Sequence, residues 1–419
     1  MQVAEVMTNV PVLRFPEFEG EWREKKLGEE VETSGYGPRF NANDYSENGN
    51  VKTIRGTDIS LDGEILYDQV PIASLDKDFI KNHILEDGDL VIITTADCGL
   101  TGVFRKQNVP FIPSAYAVRL RLKKSSNPFL LKYYFQTQLA KNQVNSFVRK
   151  GTIGNLPGSD ILKFSLSLPS LPEQQKIASF LTAMDEKIQQ LAKKKALLEQ
   201  YKKGVMQQIF SQQIRFKDDN GNEYPEWEEK KLSELGTTYN GLTNKSGEDF
   251  GSGKPYITYK QIFDNSRIDI SRFEYVTITE NERQSKVTYG DIFFTTSSET
   301  PNEVGYASVL LSKVEELYLN SFCFGFRPKS LDILYPKFSQ YLFRSQLFRN
   351  NIIKLAQGST RYNMSKTEFI KLSISIPSFS EQQKIASFLS AIDTKIEAVG
   401  KQIEATQTYK KGLLQQMFV

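Results

Sequence analysis

The sequence predicts an α+β chain: two α/β bodies separated by two long helices that form an antiparallel coiled coil. Three observations lead there. The segment from Pro169 to Phe210 aligns without a gap to Pro377 to Phe418, with about half the positions identical. Both copies carry an apolar stripe at helical spacing. The stretches ahead of the copies share an order of elements but little sequence. The chain therefore reads as a tandem duplication with four parts: residues 1–168, 169–212, 213–376 and 377–419.

In the first body, WREKKL at Trp22–Leu27 matches WEEKKL at Trp227–Leu232 in the second, and GDLVIITT at Gly88–Thr95 matches the shorter GDIFFTT from Gly290. β-rich runs at Leu90–Thr95, Tyr116–Leu122, Ile292–Thr296 and Phe322–Arg327 are separated by Gly-, Asn- and Ser-rich loops. Helical stretches are expected over Pro128–Lys150 and Tyr335–Leu355. Extended segments at Leu162–Leu168 and Ile370–Ile376 close each body. The tails follow, with Ile177, Phe180, Leu181, Met184 and Ile188 opening one stripe and Ile385, Phe388, Leu389, Ile392 and Ile396 the other. Pro172 suits a helix start, and Ser380 with Gln383 has capping-box spacing. Forty residues of helix make a rod of roughly 60 Å, whose stripe needs a partner, and the other copy is the obvious one. Antiparallel pairing would put the two bodies at opposite ends. The alternative is that each tail packs on its own body or drives homodimerisation.

Composition bounds the function without naming it. Hydrophobic residues make up 39% and charged residues 25%, the balance of a globular protein. No apolar run reaches membrane-spanning length, and Met1 to Val10 has neither the basic nor the apolar region of a secretory leader. Cys98 and Cys323 stand alone, which suits a reducing cytoplasm. A net charge of +3 neither demands nor excludes nucleic acid, because a basic face can hide in a balanced total.

Catalytic motifs are missing. Ser126-Asn127-Pro128-Phe129 falls one proline short of an adenine-methyltransferase loop and has no glycine-rich partner. Gly251-Ser252-Gly253-Lys254-Pro255 has Glu248 and Pro255 where a phosphate-binding loop needs glycine and a hydroxyl, and reads as a flexible loop near DNA. Glu24-x-Lys26 and Glu228-x-Lys230 match a minimal nuclease string, but both lie in the repeated WxEKKL segment, which better suits a strand or helix entry. His83 has no partners for a zinc site.

The residues resemble the specificity subunits of type I restriction–modification systems. The resemblance rests on LRFPEFEGEW at Leu13–Trp22 and PEWEEKKL at Pro225–Leu232. It rests too on the P-x-x-x-EQQKIA helix starts at Pro169 and Pro377 and the YKKGxxQQxF helix ends. It covers nearly the whole chain. It implies a non-catalytic chain whose two bodies are target-recognition domains, each reading half of a split DNA sequence while the helices set the gap. It further implies double-stranded DNA, two modification subunits and restriction subunits as partners, with no membrane. This chain would carry no cofactor; S-adenosylmethionine, ATP and Mg2+ would sit on the partners. Half-sites about one helical turn apart, ~34–36 Å, share a face of the duplex.

Base readout needs Arg, Lys, Asn, Gln or hydroxyl side chains, and positioning needs phosphate contacts. In the first body the loops that combine them offer Arg39, Asn41, Lys52, Thr53, Arg55, Thr95, Lys150, Thr152 and Asn155. In the second they offer Asn244, Lys245, Lys254, Tyr259, Lys260, Ser297, Ser298, Ser359, Thr360, Arg361 and Asn363. The resemblance points the loop before the last strand and the loop after the GD strand toward DNA. Lys193-Lys194-Lys195 reads as a solvated helix face. Tyr201, Lys202, Tyr409 and Lys410 fall in the repeat and are assigned to subunit docking.

Overall fold

The computed structural model describes residues 9–419. The start of the first body at residues 1–8, with most of the stretch read for a leader, lies outside them. The chain divides into two compact units, residues 1–192 with 401–419 and residues 193–400. The divisions fall inside the two long helices, Leu171–Phe210 and Phe379–Gln416. Each helix packs its opening turns on the body before it, and its closing turns belong to the other unit's core.

In the first unit an antiparallel sheet orders Val31–Tyr36, Ala117–Leu122, Leu90–Ile93 and Thr101–Val103. A second, mixed sheet orders Ile72–Ala73, Val51–Ile54 and Phe111–Pro113. Arg23–Lys26 pairs with Ser165–Leu168, so the repeated EKK lies on a strand. The core joins Leu90, Ile92, Val118 and Leu120 to Ile177, Ala178 and Leu181 of the first long helix. From the end of the second come Leu413, Leu414, Met417 and Phe418. The expected helix over Pro128–Lys150 is two helices, Pro128–Gln136 and Gln138–Phe147. Thr137 breaks it because its hydroxyl caps the second, accepting from the Ala140 N–H.

The second unit repeats the plan. Its antiparallel sheet orders Gly236–Asn240, Cys323–Pro328, Ile292–Thr295 and Ala307–Val309, and its mixed sheet Glu274–Val276, Phe250–Ile257 and Tyr318–Leu319. Glu228–Lys231 pairs with Ser373–Ile376. Ile209 and Phe210 of the first long helix enter this core beside Ile385, Ala386, Leu389 and Ile392 of the second. Here too the expected single helix is two, Pro336–Leu342 and Gln346–Ile353, with Ser345 capping the latter. Arg344 is half-buried, and desolvation pulls its pKa down to about 10. Its guanidinium lies over the Tyr306 ring and donates to the carbonyls of Ala307, Ile262, Phe263 and Asn265.

The helix starts explain the repeated Glu-Gln at Glu173-Gln174 and Glu381-Gln382. Glu173 is buried and accepts from Arg14 at 2.7 Å and from the Trp22 indole at 3.3 Å. Glu381 accepts from Arg215 at 3.0 Å and from Trp227 at 3.2 Å. Gln174 takes the Asn127 N–H and donates to the Pro169 carbonyl; Gln382 takes the Tyr335 N–H and donates to Pro377. These bonds fasten each helix to the base of its body. The residue that caps the second helix is Ser378, whose hydroxyl accepts from the Glu381 N–H at 3.4 Å. Ser380 and Gln383, expected there, lie inside the helix.

The helices run antiparallel in both units. In the first, Lys410 pairs with Asp185 at 2.5 Å and the Phe418 ring meets Trp22 edge-on. In the second, Lys202 pairs with Asp393 at 2.6 Å and Phe210 meets Trp227. These are the same pairs under the repeat. No helix among the described residues is long and apolar enough to cross a membrane.

Candidate nucleic-acid interface

The repeated Gly-Asp sets the central strand of each body. Gly88 and Gly290 both have φ of 88°, a left-handed turn that favours glycine. The following Asp89 and Asp291 are buried and grip an arginine on the neighbouring strand. Arg121 donates twice to Asp89 at 2.9 Å, and Arg327 to Asp291 at 2.9 and 2.6 Å. Paired, buried carboxylates of this kind are scaffolding: they fix where the strand starts, and so the register in which it reaches the loop at its far end.

In the first body that loop leaves at Thr94. Leu156 donates to the Thr94 carbonyl at 2.7 Å and Ala96, with φ 62°, to that of Gly154 at 3.1 Å. Thr95 and Arg149 each bridge Asn155, so residues 150–154 form an exposed tip over the turn. The structure therefore brings Thr95, Lys150, Thr152 and Asn155 together. In the second body Ser297–Ser298 pairs with Tyr362–Asn363, and Ala356–Gln357 pairs with Asn363–Met364. The tip runs from Gly358, with φ 134°, to Arg361. Ser359, Thr360, Arg361 and Asn363 are exposed. Arg361 Nε reaches the Ser297 hydroxyl at 3.3 Å, and the Tyr259 hydroxyl donates to the Ser297 carbonyl at 2.8 Å.

Other expected residues lie elsewhere. Arg39 and Asn41 are exposed on the loop entering the mixed sheet, where Asn41 caps a short turn. Arg55 is half-exposed and clamps Asp58. Thr53 is fully buried, which removes it from any base edge in this conformation. Lys52 turns inward to the Tyr67 carbonyl at 3.0 Å. The Lys245 side chain is buried against Glu282 at 2.6 Å, beside the exposed Asn244. Ser297 and Ser298 are buried, Ser298 bonding Glu303. Lys254 pairs with Glu316 at 2.6 Å, and Lys260, the most exposed of these lysines, pairs with Asp264 at 2.8 Å. The segment read as a flexible loop around Gly251–Lys254 is a bulged strand; Gly251 and Gly253, at φ 110° and 104°, carry the bulge.

Two of the residues assigned to docking are otherwise engaged. Lys410 is buried on Asp185 and Gln136, and Lys202 is spent on Asp393 and the Tyr341 ring. Tyr201 and Tyr409 remain exposed. His83 Nδ1 lies 2.8 Å from the Tyr36 carbonyl. Among the described residues no group of three or more His, Cys, Asp or Glu gathers as metal ligands would.

The β-rich runs expected at Tyr116–Leu122 and Phe322–Arg327 begin one residue later, at Ala117 and Cys323. Tyr116 and Phe322 are instead exposed at the tips of turns, Ser114–Ala117 and Asn320–Cys323, beside the loops just described. The signal was a polar residue two places before an aromatic at a strand entry.

Comparison with known proteins agrees with this plan. The family model described as the type I restriction modification DNA specificity domain matches residues 19–200 and 224–407. The MjaVIII specificity subunit of Methanocaldococcus jannaschii is 27% identical over 64% of this chain and 65% of its own length. The EcoKI specificity subunit of Escherichia coli is 23% identical over 80% of this chain and 75% of its own. The match thus spans less than two thirds of the first of these relatives. The crystal structure of the type I S subunit from M. genitalium covers 98% of this chain and 99% of its own, with TM-score 0.56 at 15% identity. The HsdS structure from Thermoanaerobacter tengcongensis covers 95% and 96%, with TM-score 0.51 at 17% identity. These likenesses establish the fold.

Proposed function

Since the chain belongs to the type I restriction–modification DNA-specificity family, we propose that it is the non-catalytic DNA-reading subunit of such a complex. Each body reads one half of a split target in duplex DNA, and the paired helices set the unspecified gap. The helices also dock two modification subunits, and restriction subunits join that assembly in the cytoplasm. S-adenosylmethionine, ATP and Mg2+ serve those partners.

One observation supports this reading above the rest. Two bodies built on one repeated frame each raise a hairpin tip against the turn after the central strand, and the tips differ in chemistry: Lys150–Asn155 against Gly358–Asn363. A repeated frame with divergent tips is what two readers of different half-sites require.

The test is a map of methylated adenines in cells expressing this chain with its modification subunit. A split motif is expected, and replacing residues 213–376 with another such body should change one half alone. A continuous motif, or a change in both halves, overturns the proposal. If the bodies instead bind peptides on a scaffold, the assembled complex will lack the steep salt-dependent affinity for duplex DNA that phosphate neutralisation produces.

A further inference from the structure

The two turns at the start of the strands beside the central ones, Ala117–Leu122 and Cys323–Pro328, share a construction that their sequences do not. In Ser114-Ala115-Tyr116-Ala117 the Ala117 N–H donates to the Ser114 carbonyl at 3.0 Å, and the Tyr116 N–H lies 3.4 Å from the Ser114 hydroxyl. In Asn320-Ser321-Phe322-Cys323 the Cys323 N–H donates to Asn320 at 3.1 Å, and the Phe322 N–H to the Asn320 side chain at 2.9 Å. A polar side chain thus ties down the turn, and an aromatic stands at its third position. Tyr116 is 62% exposed and Phe322 57%.

Both aromatics are wired to the candidate interface through their own carbonyls. Thr94 donates to Tyr116 with its N–H and its hydroxyl, each at 2.9 Å. Thr296 donates to Phe322 at 3.0 Å, and Met364 donates in turn to Thr296. Thr94 and Thr296 begin the turns that carry the hairpin tips. In the second body the Arg361 guanidinium lies 5.8 Å from the centre of the Phe322 ring.

A single exposed aromatic needs no explanation. Two, at the same step of two divergent bodies, on backbone fixed by the same bonds and next to the same loops, do. A large ring held in water on a rigid turn forgoes burial that other positions offer. We infer that Tyr116 and Phe322 are base-contacting residues, one for each half-site. Each sets its ring against an apolar feature of the major groove, of which the pyrimidine C5 position is the one available. Phe322 also holds Arg361 in line for the same half-site. The inference rests on the DNA-reading function proposed above.

The test uses the chain assembled with its modification subunits and the duplex identified by its own methylation map. If the wild-type map shows no split motif, the DNA-reading proposal fails; the steps below apply once that motif is in hand. Tyr116→Ala and Phe322→Ala should each weaken cognate binding about tenfold, with tolerance of base changes widened in one half only and melting temperature unchanged. Tyr116→Phe should restore most of the loss. With the unmutated protein, duplexes carrying 5-iodopyrimidines should photo-crosslink to Tyr116 from one half and to Phe322 from the other. Wild-type affinity in both alanine variants, a loss uniform over all sequences, or crosslinks that avoid both rings would overturn the inference.

Discussion

At the same step of the repeat the two units hold the same carboxylate in different surroundings. Asp185 is buried and faces two buried lysines, Lys410 at 2.5 Å and Lys132 at 3.6 Å, and takes the Tyr133 hydroxyl at 2.8 Å. Lys132 is also paired with Glu64. Asp393 takes the Tyr341 hydroxyl at 2.7 Å and one lysine, Lys202, and both members of that pair stay about a quarter exposed. Where the first unit has Lys132, the second has Gln340. The duplication preserved the tyrosine–aspartate–lysine link between the helices, and each body then settled its remaining polarity by its own means. Removing the shared carboxylate should therefore cost unequal amounts. Asp185→Ala leaves the buried Lys410 ammonium without a carboxylate, Lys132 keeping Glu64, and should cost about 3 kcal/mol, whereas Asp393→Ala should cost about 1 kcal/mol or less. Denaturant titration with hydrogen exchange read on peptides of each unit measures both; equal costs would break the comparison.

Glu30 offers a second contrast, since Leu235 occupies its place in the other body and both are buried. Burial alone would raise the Glu30 pKa, but bonds from Lys25, Ser126 and Ser125 overcome it and hold the carboxyl at about 2. A folded-state value below the unfolded one means that Glu30 stabilises the fold above about pH 4.5. That contribution is lost as pH falls toward 2. Glu30→Gln should destabilise the first unit by a few kcal/mol at pH 7, with the gap to wild type narrowing below about pH 4.5 and closing as the pH falls through about 2. A gap that persists there would show that shape and not charge holds this position.

The DNA-facing contrast gives a smaller effect. Arg361 is exposed, bonded to Ser297 and set over Phe322, so its guanidinium is aimed. Lys150 is exposed at the other tip, a mobile point charge. Arg361→Ala should cost about 1–3 kcal/mol of discrimination at one half-site, while Lys150→Ala should weaken binding evenly across sequences. Affinities against a panel of single-base variants decide between them. Even weakening from both variants would remove Arg361 from readout.

These contrasts show what sequence could reveal. Whatever the duplication kept was legible: both long helices, the closing strands and the Gly-Asp turns, because one apolar stripe or one glycine fixes each of them. The repeat also carries contacts that its sequence does not announce: Lys202 and Lys410 join helix to helix, and the Glu-Gln pairs fasten helix to body. The candidate site lies in what did not repeat, and there composition cannot tell an exposed lysine from one turned inward. Lys245 and Lys260 look alike in sequence; Glu282 takes one out of solvent, and the other stays exposed beside Asp264. The splits at Thr137 and Ser345 were missed for a related reason, since a hydroxyl inside a helical pattern becomes a cap only when the chain bends there.

Lys52, on the middle strand of the first mixed sheet, and Lys260, on the helix Tyr259–Asp264 that follows the middle strand of the second, give the smallest and most discriminating contrast. Lys52 bonds the Tyr67 carbonyl and lies over the Phe111 ring; Lys260 is 82% exposed in its side chain and pairs with Asp264, one helical turn on. A surface pair of that kind contributes about 0.5 kcal/mol or less, so Lys260→Ala should leave unfolding unchanged. If its ammonium neutralises a phosphate, the same substitution should lower the slope of log affinity against log salt by about one. Lys52→Ala should do the reverse: lose about 1 kcal/mol of stability with its inward hydrogen bond and leave the salt slope alone. A slope that falls for Lys52 and not for Lys260 would mean that the inward lysine swings out to meet DNA. The exposure of these loops would then be a poor guide to their contacts.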